Sequence, residues 1–244
     1  MCPLNVEAAE KRLRDYLIDG VAAEVFWADE AYALAEEIGQ HVDWLKAANF
    51  DGLFGILQVI MSDRQTLSIT KIFEREDRRY PIRSIPSILS FLEANAELWT
   101  IPQRLQLHET LVESGLDSTR VEQLDSVELT RAVVAHYRSI LPTQDRIDSC
   151  SLSRSLHVLR QSRDKVIAHN ESIERSALQI PTWGDATTLV DYAKQFVTTI
   201  GFGFLGIDFG LGSRGYLLTY DAHRASLGLR RLLRAANLAG NVPF

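Results

Sequence analysis

Apolar residues recur along this 244-residue chain at spacings of three and four, and no convincing run alternates with polar ones. Residues 7–38 carry Leu13, Leu17, Val21, Val25, Ala28, Tyr32 and Ala35 at helical spacing; Gly20 marks a kink or break and Gly39 a stop. Asp51 is placed to cap a second helix through Ser62. Its Leu53, Phe54, Ile56, Leu57, Val59 and Ile60 are apolar on most sides, which predicts a central place in a bundle. Asp63, Arg64 and Gln65 interrupt it, and 66–73 follows as a continuation or kinked turn. Residues 74–83 are charged, contain Pro81 and read as a surface loop. Ser84 and Pro86 open a short helix to about Ala94, and another runs from Pro102 to about Ser114. Residues 118–141 read as one long polar helix ended by Pro142. Asp148 or Ser149 is placed to cap a helix over 152–170. Asp185 caps one through about Phe204, and Asp221 a last one to about Ala236.

The pattern predicts an all-α protein, a single-domain helical bundle of about six to nine helices over 1–244, with 84–141 as a helical insertion or subdomain. No internal repeat or flexible linker divides it.

Composition narrows the function. Apolar residues make up 46% and charged residues 24%, ordinary for a globular protein able to bury its own core. The two cysteines, Cys2 and Cys150, offer no paired spacing for zinc or an iron–sulfur cluster, so no metal or other cofactor is expected. The first residues do not form a signal peptide. The most apolar segment, 196–211, holds four glycines and Asp208 and reads as a buried helix end and loop, with no membrane partner. A cytoplasmic setting follows as the default. The net charge of −6 argues against bulk nucleic-acid affinity but leaves room for a local basic site.

The helix over 152–170 holds the conspicuous chemistry. Leu152, Leu156, Leu159, Val166 and Ile167 trace its apolar stripe, and Arg163 stands where the period asks for another apolar residue. A guanidinium there is costly unless a partner or polar cavity receives it. His169 follows six residues later, about 9 Å along the axis and roughly 120° around it, so the two do not share one helix face.

The run Leu159-Arg160-Gln161-Ser162-Arg163-Asp164-Lys165-Val166-Ile167-Ala168-His169-Asn170 resembles the signature of the HEPN superfamily: an arginine, often a polar residue after it, and a histidine beyond four to six intervening residues, here five. The wording around Arg163 is similar to that of abortive-infection HEPN proteins of bacterial phage defence. In outline the resemblance covers 50–75 and 150–240; only the twelve residues around Arg163 are specific. It implies a metal-independent endoribonuclease, a toxin or phage-defence effector, with RNA as substrate. It also implies a homodimer that faces the arginine and histidine of two protomers across one cleft, and an antitoxin as a further partner. The RNA 2′-hydroxyl attacks the neighbouring phosphate, leaving a 2′,3′-cyclic phosphate and a 5′-hydroxyl. On this reading Arg163 binds the scissile phosphate, His169 moves protons and Asp164 orients one of them or holds the dimer. Lys165, Asn170 and Arg160 contact the RNA. The alternative is a non-catalytic HEPN module that binds RNA, nucleotide or a protein partner.

Plainer readings stand beside these. Arg163 also reads as a structural arginine paired with Asp63 or Glu74, and His169 as a helix-end residue favoured by the dipole. Two basic clusters offset the acidic total: 154–165, and Arg224, Arg230, Arg231 and Arg234 near the end. The second reads equally as the solvated face of an amphipathic helix with Leu227, Leu229, Leu232 and Leu233 on its apolar side. Gly201 to Gly206 matches a dinucleotide fingerprint in letters only, without a preceding strand. The four tryptophans read as core or interface anchors.

Overall fold

The structure, a computed structural model, describes residues 4–77, 79–168, 179–210 and 216–237. Their regular structure is helical throughout, apart from one isolated antiparallel bridge between Gly210 and Tyr216, so the fold is all-α. The helices are α1 (Val6–Tyr16), α2 (Ala23–Gln40), α3 (Val42–Ala47), α4 (Asp51–Ile72), α5 (Ile85–Ala94), α6 (Arg104–Glu113), α7 (Ser118–Glu122), α8 (Ser126–Ile140), α9 (Ser151–Ser162), α10 (Trp183–Leu205) and α11 (Leu217–Ala235). All but α3 and α7 reach ten residues. No described helix is long and apolar enough to cross a membrane.

Helix α1 passes into α2 through a π-helical stretch, Leu17–Ala22, without a break. Gly20 lies in that stretch because the chain at Arg83 crosses it closely: a Cβ on Gly20 would fall 2.5 Å from Arg83 Cβ. Helix α2 packs along α4 and α11, while α10 meets α9, α6 and α4. One buried cluster joins Leu13, Ile72, Ile88, Leu107, Val133 and Phe196, so α5–α8 share the core of α1, α4 and α10. Burying each such side chain contributes about 1.5–3 kcal/mol. Gly203 lets α6 and α10 approach, since a Cβ there would lie 2.4 Å from Leu107 Cδ2.

Several expected boundaries move. Helix α4 runs straight through Asp63–Gln65, because Gln65 and Thr66 are buried against its neighbours and need no break. Its first half is not central. Leu53 is 55% and Ile56 62% exposed, with Val59 and Ile60 also facing solvent, while Phe54 is buried in a small cluster with Ile38, Leu45 and Leu233. Asp51 is the first helical residue rather than the cap. The expected helix 118–141 is two, because Asp125 and Glu128 form a reciprocal capping box that starts α8 afresh. Thr182, with Asp185 completing the box, caps α10, and Cys150 precedes α9 without a side-chain cap. Helix α11 begins four residues before Asp221, and its Leu227 and Leu232 face solvent instead of the core. Of the tryptophans only Trp99 is buried; the Arg64 guanidinium sits over the exposed Trp27 ring at 4.7 Å.

A buried charge locks α2 to α11. Glu37 accepts hydrogen bonds from Arg230 Nε and Nη2, the latter at 2.6 Å, and contacts His41 Nε2 at 3.0 Å. Burial alone would raise the Glu37 pKa, but Arg230 and His41 together hold it below its ordinary value of 4.5. A folded-state pKa lowered in this way stabilises the fold fully above the unfolded value and ceases to do so as pH falls through the folded value. Glu37→Gln should therefore cost about 3 kcal/mol at neutral pH, the low end for breaking a buried pair because Arg230 keeps some solvent contact. In urea unfolding the gap from wild type should narrow on acidification below about pH 4. A gap unchanged down to about pH 3 would contradict this account of the pair.

Candidate functional site

The stripe of α9 behaves as its sequence predicts as far as Leu159: Leu156 and Leu159 are buried and Leu152 is partly so. At Arg163 the helix changes. Residues Arg163–Ala168 form a π-helical turn, whose i→i+5 bonding takes an extra residue into the turn. That shift carries Val166, expected inside, out to 52% exposure.

Arg163 is received by carboxylates. Its Nη1 donates to Glu74 Oε2 at 2.7 Å and its Nε to Asp164 Oδ1 at 2.6 Å. Burial opposes its charge, but the hydrogen bonds to Asp164 and Glu74 outweigh that and raise its pKa. Its side chain remains 21% exposed, so solvent still reaches it. Asp63 is not the partner; it lies in mid-α4, about 14 Å along the helix from the end that Glu74 follows. Burial raises its carboxyl above its ordinary value.

Arg160, one turn earlier, donates from Nη2 to the carbonyl of Phe73 at 2.6 Å. That carbonyl lies at the end of α4, where helix carbonyls lack internal partners and the dipole favours a cation. Burial lowers the Arg160 pKa, with Glu74 pulling it up and Arg163 and Arg75 pushing it down. Arg160 thus holds the end of α4, and Arg163, one turn on, holds Glu74 just beyond it.

On the other side of Asp164 lies a cleft of about 230 Å³, between α9 and the 143–147 turn. Lys165, Arg160 and Asp164 line it, with His157 and Gln161. The His157 and Gln161 side chains are joined at 2.9 Å. Sequence reasoning passed over this pair, although an i, i+4 spacing of polar residues on the face beside Arg160 and Lys165 was there to be read. The turn is held to α9 by the Thr143 amide, which donates to Ser153 Oγ at 3.1 Å.

Of the expected site residues, Arg163, Asp164, Lys165 and Arg160 therefore come together. His169 and Asn170 lie outside the described residues. A larger cleft, about 440 Å³, opens where the π-helical stretch of α1–α2 meets the loop at Arg83. Asp15, Asp19, Glu24 and Glu74 line it, with Lys71 and Arg83 already paired to Glu24 and Asp15. Its acidic lining disfavours a phosphate. In the C-terminal basic cluster, Arg230 is held by Glu37 and Arg224 by Asp221 at 3.3 Å, so these charges are partly consumed within the fold.

The fold and site define an all-α protein with an arginine–carboxylate clasp beside a small polar cleft. No protein-family model, curated protein or solved structure matches the chain.

The two arginines should differ in what they do for the fold. Arg160→Ala removes a charge-assisted bond from a half-buried helix end and should cost about 1.5–3 kcal/mol in urea unfolding. Arg163→Ala breaks pairs with carboxylates that keep a third to half of their exposure and should cost no more than about 1 kcal/mol. The reverse order would make Arg163 a residue of the scaffold.

Proposed function

We propose that the chain is a metal-independent endoribonuclease of the HEPN class, a cytoplasmic toxin or phage-defence effector whose site is completed across a homodimer. The observation that carries this reading is Arg163. It is a partly buried guanidinium, positioned by two carboxylates through Nε and Nη1 and still reached by solvent. Such a group is oriented in advance for a phosphate oxygen. The resemblance of 159–170 to the HEPN signature supplies the rest.

In the reaction the RNA 2′-oxygen attacks the adjacent phosphorus and the bond to the 5′-oxygen breaks. One histidine takes the 2′-hydroxyl proton and a second group, on the same reading His169 of the facing protomer, gives one to the leaving 5′-oxygen. Arg163 offsets the charge that builds on the phosphoryl oxygens, and Lys165 attracts the strand. Asp164 keeps Arg163 in place. A second copy is the expected partner, and the solvent-facing Leu53, Ile56 and Ile60 on α4 are surface of the kind that association buries.

One observation favours the alternative, a non-catalytic HEPN module. Arg163 Nε and Nη1 are already engaged, which leaves less of the guanidinium for substrate. A binding module would dimerise and hold RNA in a salt-dependent way without yielding product.

Purified protein incubated with mixed RNA in EDTA should give fragments ending in cyclic phosphate. Arg163→Ala and His169→Ala should each slow cleavage by about 10²–10³. Cleavage by either variant at the wild-type rate would overturn the nuclease reading, and binding without product would favour the module.

A further inference from the structure

The cleft beside Asp164 is more specific than a basic surface would be. Its lining follows one face of α9 and the π-helical turn after it, from Ser153 through Leu156, His157, Arg160 and Gln161 to Lys165. These positions recur at three and four residues and span about 18 Å of helix. The chemistry changes along that length. Leu156, itself buried in the core, forms floor near the start of that length; His157 stands beside it, with Gln161 bonded to its ring, and Ile147 and Gln144 of the facing turn complete the lining. Toward the far end, Arg160 and Lys165 place two cations beside Asp164. An apolar floor edged with amides suits a flat heterocycle, whose faces need apolar or π contact and whose rim needs donors and acceptors. The cationic end suits a phosphate. The volume, about 230 Å³, is below the roughly 300–1,000 Å³ of pockets that enclose a drug-sized ligand, so the cleft takes one unit of a chain and leaves the rest outside.

Asp164 ties this cleft to Arg163. Its carboxylate accepts from Arg163 Nε and also lines the cleft, so a group bound at the cationic end lies one side chain away from the arginine. The His157–Gln161 bond fixes the imidazole against rotation. The Thr143–Ser153 bond holds the opposite wall at its distance from α9.

We propose that this cleft is a nucleotide subsite: it holds one base between Leu156, Ile147 and His157, with Gln144 and Gln161 at the base's edge, and its phosphate at Arg160 and Lys165. The assignment rests on the ribonuclease reading for its direction, since it sets a nucleotide of the strand next to Arg163. It gives Gln144, His157 and Gln161 a part in choosing which base sits there. Asp164 is a positioning residue in this scheme, acting through Arg163.

The test uses the whole chain and two probes that the proposed chemistry does not cut: a 5′-mononucleotide, and a 2′-deoxy dinucleoside monophosphate, which lacks the attacking hydroxyl. Binding is followed by calorimetry and by the NMR signal of the His157 ring, assigned by its loss in His157→Gln. The dinucleotide should move that signal and bind at least tenfold more tightly than inorganic phosphate. Gln161→Glu, which sets a carboxylate at the base's edge, and His157→Gln should each weaken it about tenfold while circular dichroism stays as in wild type. Mononucleotide binding as tight as the dinucleotide's would assign the cleft to free nucleotides; tighter binding of the dinucleotide would assign it to a strand. Either supports a nucleotide subsite. An unmoved His157 signal at saturating probe, or affinities unchanged in both variants, would overturn it. RNA cut in an Arg163-dependent way by variants with unchanged affinity would sink the subsite and leave the nuclease standing. Binding that needs His157 and Gln161 without any RNA cleavage would do the opposite.

Discussion

Arg160, in the last turn of α9, and Arg163, which opens the π-helical turn that continues it, clasp the end of α4 and the residue beyond it, and the geometry of the site rests on that clasp. The end of a helix is where carbonyls go unpaired and the dipole is negative. Arg160 answers the Phe73 carbonyl, and Arg163 answers Glu74 just beyond it. The two cations repel one another, and Glu74 between them makes their proximity tolerable. Because Arg160 lies within α9, its bond to the Phe73 carbonyl sets how α9 turns about its own axis. It therefore fixes which face of α9 is left to line the cleft on the far side of Asp164.

The division of charge over the molecule supports this placement of chemistry. Glu37 and Asp221 hold two arginines of α11, and Glu24 and Asp15 hold Lys71 and Arg83 around the larger cleft. Those ion pairs organise the fold but leave little positive charge for a polyanion. Along α9 the balance differs: Glu74 and Asp164 face Arg160, Arg163, Arg75 and Lys165 in the same neighbourhood. In a chain of net charge −6 the fold gathers more cations than carboxylates here, which is why the proposed phosphate contact is placed at this end of α9.

Arg163 was legible in the sequence because it violated the stripe drawn by Leu152, Leu156 and Leu159, and Glu74 was one of the two carboxylates its burial called for. The π-helical turn was not legible: widening a helix by one residue depends on what packs against it, and nothing in 163–168 encodes it locally. Val166 was misplaced for that reason. The outer face of α4 was misread on similar grounds. Leu53, Ile56, Val59 and Ile60 have the composition of a core, and composition alone does not say which side a neighbour covers. The break between α7 and α8 was encoded, in Asp125 and Glu128, but a long polar run hid the reciprocal cap. His169 and Asn170 lie outside the described residues, so their placement beside Arg163 rests on sequence alone.

On the proposed ribonuclease reading, the neighbourhood of Arg163 directs an RNA strand's own 2′-hydroxyl at its phosphate. The most direct measurement compares an oligoribonucleotide with the same sequence carrying 2′-O-methyl groups throughout, at equal enzyme concentration and in chelator, with product ends identified by mass. The account predicts that the first is cut to a 2′,3′-cyclic phosphate and a 5′-hydroxyl and the second is bound but left whole. Cleavage of the methylated strand, or products ending in a 5′-phosphate, would contradict it.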